Sequence, residues 1–228
     1  MSQREDGQHA AAAVKSGRNE IDMLHGPLLG KILLFALPFA LSGVMEQLFN
    51  SVDVMVVGRF ASSKAMAAVG ANTFLINLCI NLFVGMSVGA NVIISNHIGQ
   101  HDARAIRHAV STTVVLSVIS GFFLLFFGIA ISGPVLRIMG TPADVIDDAV
   151  TYLRIWFLGA PFFMVYNFGA SVLRSKGDTR RPLYILLVGG VINAVVALLT
   201  VIVFKMSVVG VGIANDSAYM FSATAVVF

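Results

Sequence analysis

The sequence predicts an all-α membrane protein with six transmembrane helices. Three observations carry this. Hydrophobic residues make up 57% of the 228 and charged residues only 12%, where a soluble domain carries roughly a quarter charged. Several apolar runs are about 20 residues or longer, enough at a rise of 1.5 Å per residue to cross a bilayer core. Polar stretches separate the runs, and Lys and Arg are shared unevenly among them.

The first residues are polar and mixed in charge. The apolar run that follows is longer than a signal-peptide core and lacks a small-residue cleavage site, so it reads as an uncleaved helix. Spans are expected near 30–57, 66–94, 108–132, 149–171, 183–204 and 208–228. Pro38 in the first and Pro161 in the fourth each remove a backbone hydrogen bond and favour a kink. The fourth span is expected to start in the preceding loop, "GTPADVIDDAVTYLRI", where Thr141 suits a cap, Pro142 the first position and Asp144 an acidic first turn. The last span ends at Phe228 with no flanking charge or cap, as an interrupted helix would.

Ten basic residues fall in the N-terminal segment, the 95–108 loop and the 173–182 loop. The opposite loops hold four: Arg59, Lys64, Arg137 and Lys205, with Arg154 inside the fourth span. That asymmetry places the N-terminus in the cytoplasm. The single cysteine, Cys79, rules out an intrachain disulfide and reads as a small packing residue.

Against this apolar background, polar residues inside spans carry the functional signal. Glu46, Asn50 and Asp53 are spaced i, i+4, i+7 and fall within about 60° of one another on a helix. An acidic residue at mid-bilayer costs about 2.5 to 3.5 kcal/mol, so the stripe is expected to face a protected cavity. Such a setting suits proton or cation binding. The alternatives are a wet vestibule for Glu46 and a helix-end position for Asp53. In the second span, Asn72, Asn77, Asn81 and Asn91 read as helix-packing residues, and Gly85 and Gly89 as a site of close helix contact. Asn193, beside Gly189 and Gly190, either coordinates an ion or bonds across a helix interface. Asn215 and Asp216 lie a turn or two inside the last span.

His97, His101, His108 and Asp102 read as a solvated loop rather than a metal site, and no firm metal site emerges. No HExxH, GxSxG or P-loop pattern argues for catalysis, so a non-enzyme is expected, with no catalytic residues and no nucleic-acid partner.

From about residue 30 onward the chain resembles the multidrug and toxic compound extrusion (MATE) transporters. The resemblance rests on Pro38, the Asp53 of "NSVDVMVVGRF", "AMAAVGA", "GMSVGA", "YLRI" and "LRSKGDTRRP", in that order. It implies residues 1–29 as a polar cytoplasmic segment and 30–228 as the N-terminal lobe of a twelve-helix transporter. It implies an antiporter in the inner membrane that expels organic cations or amphipathic drugs against protons or sodium, with no cofactor beyond that coupling ion. Its partners would be lipid and a second lobe, either a C-terminal one or another copy. The family's cation cluster maps onto Asp53 and Asn193, with possible sodium there, while Asn215 stands where the family commonly has a threonine. Ala197 stands where an aspartate is expected, and Glu46 or Asp216 is a candidate replacement. Two other readings are a lipid-linked oligosaccharide flippase, which would need a basic cavity, and a truncated membrane fragment that is inert or acts only as an interaction partner. The in-span charges, acidic apart from Arg154, favour cationic cargo.

Overall fold

The computed structural model describes residues 28–228, and these are almost wholly helical. The helices are α1 (Leu28–Phe60), α2 (Ser63–Gly99), α3 (Ala103–Ile138), α4 (Ile146–Leu158), α5 (Ala160–Ser175), α6 (Arg180–Leu198) and α7 (Ser207–Val227). A short π-helical segment, Leu199–Val203, continues α6. Four of these stretches are long and apolar enough to cross a membrane, and a fifth is added when α4 and α5 count as one bent span. The last helix is not among them, because Asn215, Asp216 and Ser217 interrupt its apolar run. The N-terminal segment expected over 1–29 lies outside the described residues, except that its last two begin α1.

Every predicted span has a helix, but the ends run further than apolar content alone implied. α3 continues through Pro134 to Ile138, and α5 continues to Ser175. The kink expected at Pro161 is a full break: α4 and α5 meet at Gly159 and bend by 47°. A proline at the second position has no N–H to offer the preceding turn, so the helix restarts there. The cap expected at Thr141 is not formed. The Pro142 carbonyl instead accepts from Val145 and Ile146, both at 3.0 Å, and the helix opens with Asp147 and Asp148 in its first turn.

Three helices end on the same turn. His101, Gly140 and Gly177 adopt positive φ (56°, 75° and 85°). Each donates its N–H to the carbonyl three residues back, and the following residue donates five back. This 6→1 closure satisfies carbonyls that the helix end leaves open. After two of these turns an aspartate caps the next helix. Asp102 accepts from the N–H groups of Arg104 and Ala105, and Asp178 from those of Arg180 and Arg181.

The bent pair α4–α5 forms the centre of the bundle. Tyr152, Leu153, Trp156, Phe157, Phe163, Met164 and Phe168 are all buried there. α7 lies across them, with the Tyr219 ring edge-on to Phe163 at 5.1 Å. α2 and α5 run side by side, joined by polar bonds one turn apart: Ser171 Oγ donates to the Ser87 carbonyl, Asn91 Nδ2 to Ser171 O (3.2 Å) and Ser95 Oγ to Ser175 O (3.4 Å). α5 is almost wholly buried, whereas the outer surfaces of α2 and α3, and most of α1, expose Leu, Val, Ile and Phe side chains, as lipid-facing helices do.

Gly85 and Gly89 do not make the close helix contact expected of them. A methyl group added at either would meet nothing within 4 Å. A close approach occurs instead at Gly190, whose bare Cα admits the Phe49 ring of α1; a Cβ there would lie 1.8 Å from its tip.

Candidate functional site

The polar stripe of α1 faces inward, as its spacing predicts. Asp53 is 1% exposed, and Glu46 and Asn50 are half-buried. α6 brings Asn193 to one side of the carboxylate and α7 brings Asn215 to the other. Asn193 Nδ2 donates to Asp53 Oδ1 at 2.9 Å, and Asn215 Nδ2 donates to Asp53 Oδ2 at 2.8 Å. Residues 140 and 162 positions apart in sequence from Asp53 thus converge on its two oxygens. Hydrogen bonds to a charged acceptor are stronger than neutral ones and hold such a group in place. Asn193 Oδ1 is buried and has no donor. Of the two roles left open for Asn193, the structure shows the bond across a helix interface; the same amide presents a free acceptor beside the carboxylate.

Ala197 is fully buried among apolar neighbours and supplies no polar group. Of the two proposed replacements for the missing acid, Asp216 points elsewhere. Its Oδ1 is buried, unpartnered and pressed against Gly159, where an added Cβ would lie 1.9 Å away. Glu46 instead lines a cavity of about 30 Å³ together with Asn50, Asn193 and Asn215. That volume holds a water molecule.

Two larger cavities open along the same stripe. One, of about 250 Å³, lies beside Asp53 and is lined by Gln47, Asn50, Thr73, Asn77 and Tyr152. The other, of about 360 Å³, shares Gln47, Asn50 and Asn77 with it and extends to Glu46, Asn81, Asn167 and Arg174. The asparagines of α2 therefore divide. Asn72 donates to the Ala149 carbonyl at 3.0 Å and Asn91 to that of Ser171, as packing residues do, whereas Asn77 and Asn81 line cavity.

Arg174, assigned by sequence to a loop, stands in the last turn of α5 with its guanidinium 4.7 Å from the centre of the Phe39 ring. Arg154, taken as the in-span cation, is exposed on α4. The signal for Arg174 was the turn at Gly177 and Asp178, which extends α5 far enough to put it seven residues after Asn167, on the same helix face.

Among the described residues no group of three His, Cys, Asp or Glu side chains comes together, at His97, His101 and Asp102 or elsewhere. Asp102 caps α3 from outside the spans. The backbone N–H groups of Ala105 and Arg104 hold its carboxyl below the ordinary range, with His97 adding to the effect.

Helices long and apolar enough to cross a membrane, packed around a buried acid with a polar cavity beside it, define a multi-pass helical membrane protein. The family model MatE matches residues 38–199, and the chain belongs to that family. It is 30% identical over 191 residues to the probable multidrug resistance protein YpnP of Bacillus subtilis, covering 83% of this chain and 42% of the relative. It is 34% identical over 173 residues to YoeA of the same organism, covering 76% and 37%. A relative from Shewanella oneidensis named FAD transporter is 27% identical, covering 75% and 38%. Among solved structures, an outward-facing multidrug resistance MATE family transporter superposes with a TM-score of 0.84 at 23% identity, covering 93% of this chain and 47% of that one. The chain thus spans less than half the length of the relatives it matches.

Proposed function

We propose that this chain forms the ion-coupling half of an antiporter that exports organic cations or other amphipathic compounds in exchange for protons or sodium. Asp53 alternates between ion-bound and free states. The observation that carries the reading is the buried Asp53 carboxylate clamped by Asn193 and Asn215, with the unpartnered Asn193 oxygen beside it. A half-turn of the Asn193 amide would exchange its N–H for that oxygen. The cluster then offers three oxygens to a hard cation, the ligand type such ions take. A proton needs only the carboxylate. Glu46, reached through the small shared cavity, supplies the acid that Ala197 does not.

Multi-pass insertion in the cell membrane with a cytoplasmic N-terminus follows the basic-residue asymmetry. Alternating access would come from this lobe rocking against a second one. One proton entering down about 150 mV releases roughly 3.5 kcal/mol. At about 1.4 kcal/mol per decade this sustains a cargo gradient of a few hundredfold when the cargo step is electroneutral. The flippase reading is weaker, since among the described residues Arg174 is the lone basic one lining the two larger central cavities.

The test is dye efflux from vesicles carrying the complete gene product, with proton and sodium gradients imposed separately. One of the two is expected to drive export. Failure of both overturns the proposal.

A further inference from the structure

We propose that the cavity between α1, α2, α5 and α7 is a two-point binding site for zwitterionic compounds, with Glu46 taking a cationic amine and Arg174 an acidic group. The inference rests on the transport reading for its purpose, and names the cargo class of the same cavity.

Among the described residues, the charged ones lining this cavity of about 360 Å³ are one acid and one base, Glu46 on α1 and Arg174 on α5. A volume of that size suits a small organic molecule. Among the described residues the ion pair found is Arg181 with Asp178, so Glu46 and Arg174 do not bridge to each other. Each is half-buried and lines the cavity. Two charges so placed favour a ligand that answers both at once. A bare cation gains at Glu46 but meets repulsion from the guanidinium, which acts against it as a specificity element. The guanidinium carbon lies 4.7 Å from the centre of the Phe39 ring, a contact that favours this position of the fork. A planar, fixed fork recognises carboxylate or phosphate through paired N–H bonds. The amides of Asn77, Asn81 and Asn167 fill the wall between, offering neutral donors and acceptors.

The probes are rhodamine B, which carries a xanthylium cation and a free carboxylate, and its methyl ester, which keeps only the cation. Binding is measured by fluorescence anisotropy on the purified complete gene product, without any gradient. The wild type is expected to bind rhodamine B more tightly than the ester. Arg174→Gln should weaken rhodamine B by about tenfold, about 1.4 kcal/mol, and leave the ester unchanged or tighter. Glu46→Gln should weaken both. Arg174→Lys keeps the charge and loses the fork, so it should retain part of the preference, and it reads the same quantity where Arg174→Gln does not fold. Equal effects of the Arg174 substitutions on both dyes, or no effect on either, overturn the proposal. A preference that Arg174 controls, together with no driven efflux, overturns the antiporter reading and leaves this one standing.

Discussion

The clamp on Asp53 predicts that its two amides are not equivalent. Asn215→Ala removes one hydrogen bond to a buried carboxylate, a loss of about 1.5 to 3 kcal/mol. Asn193→Ala removes a similar bond but also eliminates a buried acceptor that has no donor, a defect of about 1 to 3 kcal/mol. The two terms nearly cancel at Asn193 and do not at Asn215. In buffer free of sodium, Asn215→Ala should therefore be less stable than Asn193→Ala by about 2 kcal/mol, read as roughly 4 to 8 °C in the melting temperature at about 2 to 4 °C per kcal/mol. Thermal unfolding of the detergent-purified protein, followed by tryptophan fluorescence or by size-exclusion recovery, measures it. Under sodium coupling, sodium at about a hundred times its dissociation constant should add about 2.7 kcal/mol to the wild type, and much less to Asn193→Ala, which has lost the oxygen that turns toward the ion. Equal melting losses for the two variants in ion-free buffer would refute the assignment of the orphan oxygen to Asn193.

Further outcomes follow from the same geometry. Asp53→Asn should abolish gradient-driven efflux while dye binding at the cavity survives, checked by comparing anisotropy with transport in one preparation. Glu46→Gln should alter the pH profile of efflux, and an unchanged profile in an active transporter removes Glu46 from ion coupling. Gly190→Ala should destabilise by about 1 to 3 kcal/mol, because its methyl group enters the space of the Phe49 ring; combining it with Phe49→Ala should recover part of that loss in a thermal melt. Asp102→Ala should lower the melting temperature at neutral pH. Because the Asp102 carboxyl lies below its ordinary value of 3.8, the difference should persist down to that value and vanish as the pH falls through the lowered one.

The spans were legible because apolar runs of that length have few other uses, and the inward face of α1 because three polar residues at helical spacing leave it nowhere else to turn. The partners of Asp53 were not legible from spacing. Asn193 and Asn215 reach it across two other helices, and their convergence became visible only through the family resemblance. What misled was local chemistry that tertiary packing overrode. Thr141 and Pro142 have the composition of a helix start, yet a turn at Pro142 delays the helix to Ile146. Gly85 and Gly89 have the spacing of a packing motif, yet the face that packs is the neighbouring one carrying Ser87, Asn91 and Ser95. Arg174 was hidden by ending the fourth span at the edge of its apolar run instead of at the turn that stops the helix.

The serine and asparagine bonds between α2 and α5 bear on how the lobe deforms. An interface of interdigitated apolar side chains can creep along its axis by exchanging rotamers. Bonds from side chain to backbone carbonyl, repeated at successive turns, fix the register and make the pair a keel. Strain from any opening or closing movement is then left to α1 and α6, which meet through a phenyl ring seated on a bare glycine. In hydrogen exchange the amides of α2 and α5 along that keel should be among the slowest in the molecule, with those of α1 the first to report motion.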